Sequence, residues 1–121
     1  MKKLYFLARL KPGENDVFAY CKGELFESEI PGLALVRMDE NKELTFKGIF
    51  SIIDIRSGLF VLKNTSKKKL LEEWNSKLSI PFIDAINNAR NRDTYRERVR
   101  ELQIEIDNWR KSGYSVYYGD M

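Results

Sequence analysis

SIIDIRSGLFVLKNTSKKKLLEEW, residues 51–74, contains the change of period on which the fold depends. Up to Lys63 the apolar residues fall in short strand-like runs. From Thr65 onward they recur at Leu70, Leu71, Trp74 and Leu78, the spacing of one helix face. The strand runs meet at Arg56-Ser57-Gly58, a short link ending in glycine that suits a tight hairpin with Gly58 at positive φ. A long fourth strand over 43–55 and a fifth over 58–63 are therefore predicted before the junction. Gly48 marks a bulge or bend in the fourth. A helix over 66–78, capped by Thr65 or Ser66, is predicted after it.

Upstream, residues 3–10 alternate, with Leu4, Phe6, Ala8 and Leu10 on one side and Tyr5, Leu7 and Arg9 on the other. This reads as a first strand and not as a signal peptide, because Arg9 interrupts the apolar run and no small-residue cleavage site follows. The turn KPGEND leads to a second strand at 16–22. The loop SEIPG leads to a third at 33–38, and the turn DENK follows.

Downstream, Ser79 precedes Pro81, which predicts a second helix over 81–91 burying Phe82 or Ile83, Ile86 and Ala89. Thr94-x-x-Glu97 reads as a capping box opening a third helix. Tyr95, Val99, Leu102, Ile106 and Trp109 follow it as a heptad seam, which packs either on the sheet or on a copy of itself. The expected fold is α+β: an N-terminal antiparallel sheet of about five strands, then three C-terminal helices. It forms a single domain over 1–121, with a β-rich half at 1–64, a helical half at 65–112 and a tail at 113–121 open to a last strand.

Composition narrows the function classes. With 43% hydrophobic and 12% aromatic residues the chain can pack a core, and its net charge is +3. Residues 1–64 carry ten Lys/Arg against nine Asp/Glu, whereas residues 65–112 carry eleven against eight, so the positive excess lies in the second half. A single cysteine, Cys21, precludes an internal disulfide and fits a reducing cytosol. No run of about 18 apolar residues is present, so no membrane contact is expected.

Six arginines, at 90, 92, 96, 98, 100 and 110, lie in the segment NNARNRDTYRERVRELQIEIDNWRK. Two readings stand side by side. Arg96, Arg100 and Arg110 fall near one side of the third helix and either solvate it or grip a phosphate through paired guanidinium hydrogen bonds. A phosphate site also needs enclosure and a ring to stack on. Phe82 offers a ring, and Asn87, Asn88 and Asn91 can reach ribose hydroxyls or base edges. Arg56 is either a hairpin residue or a loop arginine on a phosphate, and Lys67-Lys68-Lys69 are solvated cations or a counterpart to an external anion. Catalysis is not expected: no histidine is present, no metal-ligand cluster or glycine-rich phosphate loop occurs, and no metal or cofactor is called for.

In its order of features the chain resembles the phage anti-defence proteins that counter the Thoeris system: a small N-terminal sheet, a hairpin with Arg56, then helices bearing Phe82, Asn91 or Asn88, and Arg110. The resemblance implies capture, without cleavage, of cyclic ADP-ribose-type signals, and in some members of cyclic oligonucleotides at a second site between subunits. Carried over, Phe82 stacks on the adenine, Asn91 binds a ribose or base edge, Arg110 closes over the ligand and Arg56 belongs to the second site. With Asn88, Arg92 and Arg96 these form the expected ligand-binding set. The resemblance further implies a homo-oligomer built on the helices, in the cytoplasm of an infected bacterial host. The rival expectations are a nucleic-acid-binding accessory protein using the arginine face, and a small protein–protein inhibitor.

Overall fold

A computed structural model describes residues 3–9, 17–37 and 49–118. Five strands, β1 (Lys3–Arg9), β2 (Phe18–Phe26), β3 (Leu33–Arg37), β4 (Phe50–Asp54) and β5 (Phe60–Asn64), form one antiparallel sheet in sequence order. Three helices follow, α1 (Lys67–Lys77), α2 (Ile80–Arg90) and α3 (Asp93–Lys111). The α+β architecture expected from the sequence is therefore present. The turns KPGEND and DENK, Gly48 and the first part of the expected fourth strand lie outside the described residues.

The two faces of the sheet serve different cores. Register places Leu4 opposite Gly23, Phe6 opposite Cys21, Ala8 opposite Ala19 and Ala34 opposite Ile53, all on one face. This face buries a cluster that contains no helix residue; the sheet covers it by curling. Small side chains permit the curl. A Cβ on Gly23 would lie 2.9 Å from the Leu35 carbonyl oxygen and 3.0 Å from Val36 Cγ2. The curl brings the outer edge of β1 to the β4–β5 turn, where the Arg9 N–H donates to the Gly58 carbonyl at 2.8 Å. Gly58 has φ 76°, as the hairpin reading requires, and an added Cβ there would meet Arg9 N at 3.0 Å. Further along the same edge the Tyr117 N–H donates to the Tyr5 carbonyl at 2.6 Å, so the tail runs beside β1.

The helices cover the other face. Leu70 and Trp74 of α1 pack with Ile30, Leu33 and Ile52, and Phe82, Ile83 and Ile86 of α2 add to that cluster. Leu102 and Ile106 of α3 are buried with Leu7 and Val116. The centre of the predicted seam thus packs on the sheet, one of its two expected uses. Helix starts follow the sequence signals at α1 and α2: Ser66 accepts from Lys69 N–H, and Ser79 accepts from Phe82 N–H ahead of Pro81. At α3 the capping box does not form. Arg92 is the N-cap, without a side-chain cap bond, and Thr94 lies inside the helix. The helix begins two residues earlier than the box requires, with Asp93 in the first turn, where a carboxylate complements the helix dipole. No helix among the described residues is long and apolar enough to cross a membrane.

Candidate functional site

Where β4 ends, Asp54 is a buried carboxylate directly after Ile52 and Ile53. Burying a charge is costly unless it is paired, and the surrounding elements supply partners. Its Oδ1 accepts from the Arg56 N–H at 3.1 Å, folding the turn around it. From α2, Arg90 brings Nε to 3.7 Å from Oδ2. From the first turn of α3, Tyr95 hydrogen-bonds the carboxylate. On the far side the Arg56 guanidinium lies 4.9 Å from the ring centre of Tyr118.

A cavity of about 280 Å³ opens beside this group, with Phe60, Trp74, Tyr95 and Ile86 among its walls and Asp54 and Arg90 as its charged residues. The Arg90 side chain is only 15% exposed. Its Nε and Nη2 are buried, and neither has a hydrogen-bond acceptor among the described residues. A buried donor without an acceptor is expensive, more so when charged. The guanidinium therefore retains the capacity to hold an anionic oxygen from the cavity.

Burial chiefly, then the negative charge of Asp54 and the hydrogen bond to it, push the Tyr95 phenol well above its ordinary value; Arg90 and Arg56 oppose this in part. The folded state therefore favours the protonated phenol. Its contribution to stability is complete below the unfolded pKa, about 10, and is lost as pH rises through the folded value. Tyr20 and Tyr118 are raised as well, mainly by burial. Chemical denaturation across the alkaline range is expected to show stability falling from about pH 10 upward, and Tyr95→Phe to flatten part of that fall. Identical slopes in the two proteins would show that Tyr95 is not coupled to the fold in this way.

The expected ligand-binding residues divide into three groups. Asn91 and Arg92 form the elbow between α2 and α3, immediately after Arg90, and are exposed; Asn88 and Arg96, one turn to either side, are exposed as well. Phe82 is half-buried, its ring edge-on to Trp74 at 5.6 Å between centres. Arg110 donates through Nη2 to the Val116 carbonyl at 2.7 Å, pinning the tail. With 19 residues in α3, Arg110 stands about 27 Å along the helix from Arg92. Within one chain the two cannot hold the same small ligand. Sequence reading takes Asp54 for an isolated turn carboxylate, Arg90 for one of six arginines and Tyr95 for a seam residue, and does not bring the three together, although a carboxylate following Ile52 and Ile53 already demands a partner.

No protein-family model matches the chain, and no curated protein or solved structure is significantly similar to it.

Proposed function

We propose that the chain is a non-catalytic binding protein that sequesters a small phosphorylated ligand bearing a flat ring, a cyclic nucleotide signal of the cyclic ADP-ribose type. The observation that carries this reading is Arg90, a guanidinium at the wall of an aromatic cavity whose buried Nε and Nη2 find no hydrogen-bond acceptor among the described residues. Arg90 is the cationic residue of the cavity wall, 3.7 Å from the Asp54 carboxylate, and its remaining N–H groups can favour an anion there. Phe60, Trp74 and Tyr95 offer ring surface. Ligand pockets commonly measure roughly 300–1,000 Å³. The 280 Å³ available here takes one ring with its attached anionic group and leaves the rest of a cyclic nucleotide at the elbow of Asn91 and Arg92.

Arg110 joins such a site only from a second copy, so this reading includes a homo-oligomer joined through the helices. The resemblance to the Thoeris anti-defence proteins supplies the biological setting, the cytoplasm of an infected bacterium, and implies a second site for cyclic oligonucleotides that includes Arg56.

The test is a thermal-shift screen of cyclic ADP-ribose isomers, cyclic oligonucleotides and linear ADP-ribose, followed by mass spectrometry of the recovered ligand. A true ligand at a hundred times its Kd stabilises the fold by about 2.7 kcal/mol and is recovered intact. Arg90→Ala is expected to remain folded and lose the shift. A shift of equal size in Arg90→Ala, or recovery of a cleaved product, defeats the proposal.

A further inference from the structure

The tail after α3 leads across the outer edge of β1 to the turn that carries Asp54. Gly113 takes φ 97°, and a Cβ added there would meet nothing within 4 Å among the described residues. The chain thus leaves the helix end through a glycine standing in open space. Residues 114–118 form no strand. Other elements hold them at a few points. Tyr20 donates its hydroxyl to the Ser115 carbonyl at 2.6 Å, and Arg110 Nη2 donates to the Val116 carbonyl at 2.7 Å. The Tyr117 N–H donates to the Tyr5 carbonyl at 2.6 Å. Among residues 114–118 only Val116 is buried, with Leu7, Leu102 and Ile106.

The end of the tail meets the candidate site. Tyr118 places its ring centre 4.9 Å from the Arg56 guanidinium. Arg56 belongs to the turn built on Asp54: its N–H donates to Asp54 Oδ1 at 3.1 Å, and the Gly58 N–H donates to the Asp54 carbonyl at 2.8 Å. The same turn therefore touches the tail through Arg56 and touches Arg90 and Tyr95 through the Asp54 carboxylate. A segment with one buried side chain and a handful of hydrogen bonds opens at lower free energy than the sheet beneath it. A contact between two such segments couples them equally in both directions.

We infer that the tail is a strap coupled to the Asp54 cavity through the contact of Tyr118 with Arg56. Tyr118 is a positioning residue: its ring steadies Arg56, and with it the turn that presents Asp54 to Arg90 and Tyr95. Strap and turn close together. Lifting the strap loosens the turn, and loosening the turn lifts the strap. A ligand that fills the cavity and orders the turn consequently tightens the tail. This last step rests on the proposed function; the coupling of strap to turn does not.

Amide hydrogen exchange in the ligand-free protein tests the coupling. Tyr118→Ala is expected to speed exchange at the N–H groups of Arg56, Gly58 and Tyr117 about two- to five-fold, the scale of one cation–ring contact, and to leave the amides of β2 and β3 as they were. Tyr118→Phe keeps the ring and should match the parent. Arg56→Ala should speed exchange at Tyr117 in the parent and add nothing in the Tyr118→Ala background. Faster exchange confined to the tail in Tyr118→Ala overturns the inference, because the turn then closes without the strap. A uniform rise across the sheet overturns it as well, since Tyr118 would then serve general stability. With a cyclic ADP-ribose isomer added, exchange at Tyr117 should slow in the parent and not in Tyr118→Ala. Absence of any melting shift with that isomer counts against the proposed function alone, because the coupling is read without ligand.

Discussion

Trp74→Ala is expected to lower the unfolding free energy by about 3–5 kcal/mol, the range for deleting a large buried aromatic. Trp74 is 2% exposed. It receives the edges of Phe26 and Phe82 at 5.4 and 5.6 Å and joins α1 and α2 to Ile30, Leu33 and Ile52 of the sheet layer. A domain of this size has roughly 5–15 kcal/mol in all, so the variant sits close to unfolding at ambient temperature. The same indole forms a wall of the Asp54 cavity. Trp74→Phe, which restores part of the packing, should regain most of the stability while leaving the cavity wider. Urea denaturation measures the first effect. A loss below about 1 kcal/mol would mean that the two helices are held to the sheet by something other than this cluster.

Removing the guanidinium of Arg9 should cost a similar amount, about 3–5 kcal/mol for Arg9→Met. The side chain is only 1% exposed, and its contacts join three separate elements. Nε donates to the Ser57 carbonyl at 3.2 Å, in the β4–β5 turn, and Nη2 donates to the Arg98 carbonyl at 2.9 Å, in α3. Nη1 lies 3.8 Å from Glu101, and the group sits 4.9 Å from the ring centre of Phe18. Methionine keeps the apolar stem and its packing but provides no donors. The variant therefore isolates the charged hydrogen bonds, each contributing about 1.5–3 kcal/mol. Arg9→Lys retains the charge without the planar fork and should fall between the two. Buried ion pairs are sometimes replaceable by apolar groups at no cost. If Arg9→Met is as stable as the parent in denaturant titration, Arg9 is such a case and does not tie α3 to the sheet.

Arg9 also shows where sequence reading stopped. In YFLARL its alternation puts it on the face opposite Phe6 and Ala8, as the structure has it, but alternation says nothing of what a charged side chain meets there. It is buried because the sheet curls and brings both Ser57 and Arg98 to it. The partners lie 48 and 89 residues away, and no local pattern announces a contact at that separation. The α3 arginines present the converse case. Their number drew attention, yet Arg92, Arg96, Arg100 and Arg110 are all exposed. The guanidinium that lines an enclosed cavity is Arg90, the last residue of α2.

Local chemistry was sufficient for the elements themselves. Alternation along Lys3–Arg9, helical spacing from Leu70 to Leu78, the hydroxyl caps at Ser66 and Ser79 and the positive φ of Gly58 are set by residues within a few positions of one another. What the sequence by itself determined is therefore an antiparallel meander followed by three helices. The tertiary structure alone decided that the meander closes on itself through Arg9 and Gly58, that the α3 seam is spent on the sheet, and that Asp54, Arg90 and Tyr95 meet beside a cavity. The physical reason is one of range. Hydrogen-bond caps and side-chain periodicity act over a turn or a strand pair, whereas curvature, burial of charge and enclosure depend on which distant surfaces are brought into contact when the core forms.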